Sequence, residues 1–297
     1  MIENLDCAAA QTGERQELRR QRRTGVSGHD FARFVPLPLR HVAKCVLLSD
    51  YRHRVRELSR LRRMPRYQTT STTLLGKPFR ILDAASFLSM EREIFQQKIY
   101  AFSAANGSPR IIDGGANIGL SVFFFKNLYP SCRLTAFEPD PKVFSVLEEN
   151  VRVHGSEGVE LLQRALWSAE TTLDFASEGA DGGRVSRDKD SGNAFVQTVR
   201  LRDFLGEQID FLKLDIEGAE TEVLGDCADR LENVSNLFVE YHSFTSERQS
   251  LHRLFGILAS AGFRVHIHPL SHSPQPFLHR KTQLGMDLQL NVFAYRS

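Results

Sequence analysis

From residue 110 to the carboxyl end, the chain alternates short apolar runs with stretches whose apolar positions recur at helical spacing. Ile111–Ile112, Leu134–Phe137, Val159–Leu162, Phe211–Leu214 and Leu237–Tyr241 carry apolar residues at adjacent positions and are too short for buried helices, the pattern of strands covered on both faces. The stretches opening at Leu120, and those from Lys142 to His154, Ala219 to Leu231 and Ser246 to Ala261, read as helices between them. The alternation predicts an α/β fold with a doubly wound, mostly parallel sheet. Two closing strands, Arg264 to His268 and Leu288 to Tyr295, are joined by a link without a long helix, so the last strand is expected to run antiparallel. A hairpin-like stretch from Thr171 to Phe175 and a strand from Phe195 to Val199 flank the glycine-rich loop Glu178 to Arg184, which is expected to close over a substrate.

Upstream, the pattern changes twice. Residues 1 to 30 are polar and Arg-rich and are expected to be mobile, whereas residues 31 to 66 space Val42, Val46, Tyr51, Val55, Leu58 and Leu61 as an amphipathic basic helix would. Two short strands, Thr70 to Leu75 and Phe79 to Leu82, then flank a Gly76-Lys77-Pro78 turn. A helix from Phe87 to Ala104 leads into the first core strand and is expected to sit over the mouth of the binding crevice. The expected organisation is therefore a basic extension, residues 1 to 68, and an α/β domain, residues 69 to 297.

Composition changes this picture little, and charge changes it more. With 297 residues, 41% hydrophobic and 25% charged, the chain is ordinary globular material. The net charge of +2 hides an asymmetry: residues 1 to 68 carry fifteen Lys/Arg against seven Asp/Glu, and the remainder is acidic. A packing helix with a solvated basic face is the plainest account of that excess; peripheral contact with an anionic membrane face is the functional one. Cys7, Cys45, Cys132 and Cys227 lie far apart without metal-ligand spacing, which suggests reduced thiols rather than disulfides or zinc. The first residues lack the apolar core of a secretory leader, so a cytoplasmic location is expected.

The candidate chemistry lies at strand ends. Arg110-Ile111-Ile112-Asp113-Gly114-Gly115-Ala116-Asn117-Ile118-Gly119 reads as a buried strand, a tight glycine turn and a helix start, the sequence form of a nucleotide crevice. As a dinucleotide turn, its best alignment is Gly114, Ala116 and Gly119, which lacks the second glycine, and the Asp113 carboxylate would repel a diphosphate. An acid followed by glycines instead suits a cationic nucleoside carrying an amino acid, S-adenosylmethionine. The second strand ends at Glu138, about 25 residues on, where a carboxylate can accept both ribose hydroxyls. Phe211-Leu212-Lys213-Leu214-Asp215-Ile216-Glu217-Gly218 and Leu237-Phe238-Val239-Glu240-Tyr241-His242 deliver four more ionisable groups to the same edge.

Together, Ile-Ile-Asp-Gly-Gly-Ala-Asn-Ile-Gly, Phe-Glu-Pro-Asp-Pro, Leu-Lys-Leu-Asp-Ile-Glu-Gly-Ala-Glu and Glu-Tyr-His make the chain, over about residues 79 to 297, resemble the FkbM family of S-adenosylmethionine-dependent methyltransferases. The resemblance implies a Rossmann-like class I methyltransferase sheet of seven strands with a reversed last strand. It implies O-methylation of a small-molecule or glycan hydroxyl, on a sugar or a polyketide-like product. Carried over by motif, Asp113, Gly114, Gly115, Asn117 and Gly119 would line the methionine part and Glu138 the ribose. Ala165 joins the cofactor set, and Asp215 to Glu217 form the floor near the transferring methyl.

A hydroxyl acceptor needs a base. His242 is the first candidate because an unperturbed histidine titrates near neutrality, with Glu217 and Glu240 next. A site without metal is expected; Asp215 with Glu217 or Glu240 holding Mg²⁺ against a vicinal diol is the alternative. His266, His268, His272 and His279 lack acid or thiol partners and read as a surface segment. RNA methylation is disfavoured, because the basic region offers few aromatics for base stacking. A non-catalytic scaffold with the same shape would be expected to have an eroded cofactor motif, and this motif is intact.

Overall fold

The computed structural model describes residues 49–155, 157–176, 184–185 and 194–296. The chain divides into two compact units, Met1–Arg56 and Glu57–Ser297, and of the first only residues 49–56 are described. The Arg-rich arm, the first part of the expected basic helix, Cys7, Cys45 and most of the Glu178 to Arg184 loop lie outside the described residues. No helix among the described residues is long and apolar enough to cross a membrane.

Along the described chain, helix α1 (Ser49–Leu61) is followed by the antiparallel pair β1 (Thr70–Thr72) and β2 (Phe79–Ile81), then α2 (Ala84–Glu91). Strands β3 (Arg110–Gly114), β4 (Arg133–Phe137) and β5 (Val159–Leu162) alternate with α3 (Leu120–Leu128) and α4 (Pro141–His154). Short strands β6 (Ala165–Trp167), β7 (Thr172–Ala176), β8 (Arg184–Val185) and β9 (Ala194–Arg200) come next. The chain then returns through β10 (Ile209–Leu214), α5 (Glu220–Asp226), β11 (Val234–Phe244), α6 (Leu251–Ser260), β12 (Arg264–Ser271) and β13 (Met286–Tyr295).

The main sheet has seven strands in the order β12-β13-β11-β10-β3-β4-β5. Pairing is parallel from β11 to β5, and β13 runs antiparallel to both β11 and β12. This is the expected class I methyltransferase sheet with its reversed last strand. The central strands are apolar at adjacent positions because each face meets its own core. Ile111 and Phe211 pack with Phe125 and Leu147 on one side, while Ile112 and Leu212 pack with Val223 and Leu258 on the other. Strand order changes direction between β3 and β10, so the carboxyl ends of β3, β4, β10 and β11 open onto one crevice.

Local chemistry sets the helix starts. Asp140 caps α4 by accepting the N–H groups of Lys142 (2.8 Å) and Val143 (3.2 Å), with Pro141 at the first helical position. Asp83 caps α2 through Ser86 N (2.9 Å) and also accepts from Tyr67 N (2.7 Å) and Arg66 Nε (3.0 Å). Asp83 therefore anchors the start of the domain as well as the helix.

Several elements differ from their expected extents. The Phe87 to Ala104 helix is instead α2 with one π-helical turn, Arg92–Gln96, ending before Lys98, which takes a left-handed φ of 56°. The helix expected from Ala219 to Leu231 stops at Asp226, since Cys227 leaves helical geometry, and a 3₁₀ stretch Ala228–Asn233 follows. The strand expected at Thr70 to Leu75 ends at Thr72. β6 to β9 form a separate four-stranded sheet, β6-β9-β7-β8, in which β6 and β9 pair in parallel. Sequence periodicity gives β7 and β9 but neither β6 and β8 nor this pairing, which joins segments far apart in the chain.

Asn150 on α4 ties the β2 strand to the turn ahead of α3. Its amide nitrogen donates to Arg80 O and Ile118 O, both at 2.9 Å, and its oxygen accepts from Arg80 N at 2.7 Å. It is buried. Replacing it by alanine would strand two carbonyls and an N–H, so Asn150→Ala is expected to lower unfolding free energy by about 2–4 kcal/mol. Urea unfolding checks this, and a loss under about 1 kcal/mol would contradict it.

Candidate active site

A cavity of about 470 Å³ lies at the carboxyl edge of the sheet. Its position follows from the turn after β3. Gly115 (φ 78°), Asn117 (φ 48°) and Gly119 (φ 95°) are all left-handed, which folds the chain back sharply before α3. At Gly115 no other residue fits: a Cβ there would lie 1.8 Å from the carbonyl oxygen of Asp215. The turn after β3 is thus pressed against the turn after β10.

The two turns also share a buried charge. The register pairs Lys213 with Asp113 across β10 and β3. Lys213 Nζ lies 3.2 Å from Asp113 Oδ1 and 3.4 Å from Asp215 Oδ2, and it donates to Gly114 O (3.2 Å) and Gly115 O (2.8 Å). Burial works against its charge, but Asp113 and Asp215 outweigh burial and raise its pKa. Tyr100 closes the other side, its ring centre 6.0 Å from Nζ. The remaining Asp113 oxygen accepts from Ser121 Oγ at 2.5 Å, and the residue is fully buried. Asp113 therefore does not face the cavity, contrary to the reading of it as a partner for a ligand ammonium. It is spent on Lys213 and the start of α3, and Asp215 is the acid of this group that lines the cavity.

Glu138 is placed as the spacing suggests. It lines the cavity beyond β4 and accepts from Asn117 N (3.0 Å) and Asp140 N (2.9 Å). Burial pushes its pKa up; the two N–H groups pull it down without cancelling that effect, and it settles at about 7.

At the β10–β11 end, Glu217, Glu220 and Glu240 surround His242. Nδ1 lies 3.0 Å from Glu220 Oε1, and Nε2 lies 3.5 Å from Glu217 Oε2 and 3.7 Å from Glu240 Oε1. Burial disfavours a charged ring, but Glu217, Glu220 and Glu240 overrule it and raise the pKa well above its ordinary value. His242 does not line the cavity, so its ring does not meet an acceptor's proton. The geometry thus argues against His242 as the base. Glu217 and Glu240 do line the cavity. Burial, followed by the charge of Asp215, lifts Glu240 to about 8. Glu217 is held at a left-handed φ of 54°, the kind of backbone strain that collects at functional sites.

Of the expected site residues, Gly115, Asn117, Glu138, Ala165, Asp215, Glu217 and Glu240 line one cavity, while Asp113, Gly114, Gly119 and His242 stand behind its wall. Gly119 starts α3 in a conformation a side chain would strain, and Gly114 has no room for a Cβ against Leu166 and Leu214. Sequence reasoning gave no role to Lys213, Glu220, Tyr100 or Gln289. Lys213 was detectable, since a lysine inside a strand apolar on both faces must be paired. His266 and His268 sit exposed on β12 with their Nε2 atoms 3.0 Å apart, and His272 and His279 are exposed in the following link.

Removing Lys213 would leave Asp113 and Asp215 facing each other. Lys213→Met is expected to cost about 3–5 kcal/mol of stability, and adding Asp113→Asn should recover at least about 1 kcal/mol. Chemical unfolding of both variants measures this; simple additivity would show that the pair is not coupled.

Residues 113–265, about half of the chain, match the family described as Methyltransferase FkbM domain. Methyltransferase sdnD of Sordaria araneosa is 32% identical over 50% of this chain and 72% of its own length. 2-O-methyltransferase NoeI of Sinorhizobium fredii is 27% identical over 45% of this chain and 63% of its own. 31-O-demethyl-FK506 methyltransferase FkbM of Streptomyces tacrolimicus is 27% identical over 59% and 80%. On the family match and on its similarity to the Sordaria protein, the chain belongs to the FkbM family of S-adenosylmethionine-dependent methyltransferases.

Proposed function

We propose that this methyltransferase transfers its methyl group to a hydroxyl oxygen of a sugar, glycan or polyketide-like acceptor, with cofactor and acceptor bound at opposite ends of the one cavity. The observation that carries the reading is the division of charge along that cavity. One end presents Glu138 and the turn Gly115 to Asn117, and the other presents Asp215, Glu217 and Glu240. The first suits a nucleoside without phosphates. The second suits a neutral polyol whose proton must be removed, and two relatives whose names specify O-methylation support that choice.

In this reading Glu138 accepts both ribose hydroxyls, Ala165 adjoins the base, and the backbone from Gly115 to Asn117 holds the methionine part. Asp113, Gly114 and Gly119 act by shaping the turn. The acceptor enters past Leu270, Leu284 and Met286, which give one wall an apolar surface, while Gln283 and Gln289 offer amides to its oxygens. The sulfonium is already an activated electrophile, so catalysis consists of aligning the acceptor oxygen with the methyl and taking its proton. The oxygen–methyl bond forms as the sulfur–methyl bond breaks, the electron pair returns to sulfur, and the proton passes to the Glu217–Glu240 pair. The two carboxylates interact, the charge of Glu217 helping to raise the pKa of Glu240. His242 is a positioning residue that holds both of them.

Two results would test the assignment. Glu138 is neutral below its pKa of about 7, and a neutral carboxyl cannot accept two hydroxyl hydrogens as well. S-adenosylhomocysteine affinity should therefore rise about tenfold from pH 6 to pH 8, with a proton released near pH 7. Calorimetry in buffers of different ionisation enthalpy reads both effects, and the reading fails if Glu138→Gln keeps the same pH dependence. With labelled S-adenosylmethionine and a panel of sugars and hydroxylated polyketides, Glu217→Gln and Glu240→Gln should each lower kcat by about 10²–10⁴ while S-adenosylhomocysteine still binds. Unchanged turnover in both variants would remove the carboxylate base.

A further inference from the structure

We propose that Asp215, Glu240 and His242 form a divalent-cation site, for a first-row ion of the Mn²⁺ kind, that grips two adjacent oxygens of the acceptor. The proposal rests on the acceptor-end reading given above and narrows the acceptor class to vicinal diols and hydroxyls next to a carbonyl. One donor atom from each of the three residues lies within 4.8 Å of the others. Their placement follows from the fold. Glu240 and His242 are two residues apart on β11, so the pleat turns both to one face, and Asp215 follows β10, the parallel neighbour of β11.

Three features separate this group from a chance meeting of acids. The first is a nitrogen donor held in a ligand's orientation. His242 Nδ1 is engaged by Glu220 Oε1 at 3.0 Å, and the same oxygen accepts from Ile216 N (3.2 Å) and Gly218 N (3.0 Å). The ring is therefore fixed from behind with Nε2 presented to Glu217, Glu240 and the Gln289 amide, and the contact at Nδ1 is the carboxylate–histidine arrangement that orients metal-binding imidazoles. The second is the orientation of Glu240, whose Oε1 lies 2.5 Å from Gln289 Nε2. The third is charge: Glu217, Glu220 and Glu240 lie 3.5, 3.0 and 3.7 Å from the ring nitrogens, while Lys213 is engaged by Asp113, Asp215 and two backbone carbonyls. A cation among these groups adds positive charge on the His242 side, where Glu217 and Glu220 approach the ring.

The donor set indicates which cation. Carboxylates suit Mg²⁺, Ca²⁺ and Mn²⁺, and imidazole suits later first-row ions, so Mn²⁺ and its neighbours satisfy both. Bonds of about 2.1 Å put neighbouring donors about 3 Å apart and opposite ones about 4.2 Å apart. The separation of 3.7 Å between His242 Nε2 and Glu240 Oε1 falls between these values. Three protein ligands leave positions open for two acceptor oxygens. A hydroxyl bound there loses its proton more readily, and of the Glu217–Glu240 pair it is Glu217, outside the ligand set and 3.5 Å from the ring, that receives it. The oxygen then takes the methyl, sulfur keeps the electron pair of the broken bond, and no redox step is involved.

The test uses the full chain, stripped with EDTA and titrated with MnCl₂ alone at fixed pH. Electron paramagnetic resonance should show one saturable Mn²⁺, and pulsed measurements should show coupling to an imidazole nitrogen. That coupling should vanish in His242→Ala, and Glu240→Gln and Asp215→Asn should each weaken Mn²⁺ binding at least tenfold. Thermal unfolding certifies that each variant is folded, and the two carboxylate variants keep the test decisive if His242→Ala is not. No saturable Mn²⁺ on the folded wild type would overturn the proposal, as would unchanged affinity in the carboxylate variants or nitrogen coupling that survives His242→Ala. S-adenosylhomocysteine binding to the same stripped wild type reports the cofactor end separately. Its loss would fault the proposed methyltransferase site, whereas intact binding without Mn²⁺ would fault only the metal.

Discussion

A single buried ammonium holds the site together. Lys213 stands in the middle of an apolar strand, where an unpaired charge would be prohibitively costly, so it must be met by acids and carbonyls from the neighbouring turn. The register of β10 against β3 sets it beside Asp113, and the carbonyls of Gly114 and Gly115 complete its shell. The glycine turn is thus shaped by two demands at once. It needs left-handed backbone to fold back toward α3, and it must point two carbonyls at a lysine from another strand. Each demand restricts sequence where the other would allow variation.

The same economy governs the acids. Six carboxylates, Asp113, Asp215, Glu138, Glu217, Glu220 and Glu240, gather near the ends of four adjacent strands, and the structure divides them by partner. Asp113 belongs to Lys213, Glu220 belongs to His242 and two N–H groups, and Glu138 belongs to the turn after β3. The members left facing the cavity at the β10–β11 end are Asp215, Glu217 and Glu240. Burial and the charge of Asp215 make Glu240 a poor anion and a correspondingly good acceptor of a proton. The acidic face of the crevice therefore contains structural and reactive members that residue type alone cannot separate.

That limit marks how much was legible in the sequence. The sheet, its reversed last strand and the crevice at the β3, β4, β10 and β11 ends follow from apolar runs and their spacing, because those patterns report burial on one or two faces. Glu138 was legible for the same reason: its distance from Asp113 is a property of one βαβ unit. Asp113 and His242 were assigned to the ligand because a strand-end acid and a strand-end histidine look the same whether they face the cavity or its wall. The difference lies in partners contributed by β10 and α5, and single-strand patterns carry no cross-strand register. The small sheet of β6 to β9 was hidden likewise, its parallel pair joining Ala165 to Thr198.

The contact between Gly115 and the Asp215 carbonyl gives the site its mechanical character. Two turns packed without space for a methyl group cannot be displaced independently, so the floor beneath both ends of the cavity moves as one piece. Diversification toward new acceptors cannot proceed by reshaping that floor without disturbing the turn beside it. It is left to the rim, where the exposed link between β12 and β13 borders the opening. A family built this way would keep one floor and exchange its rims.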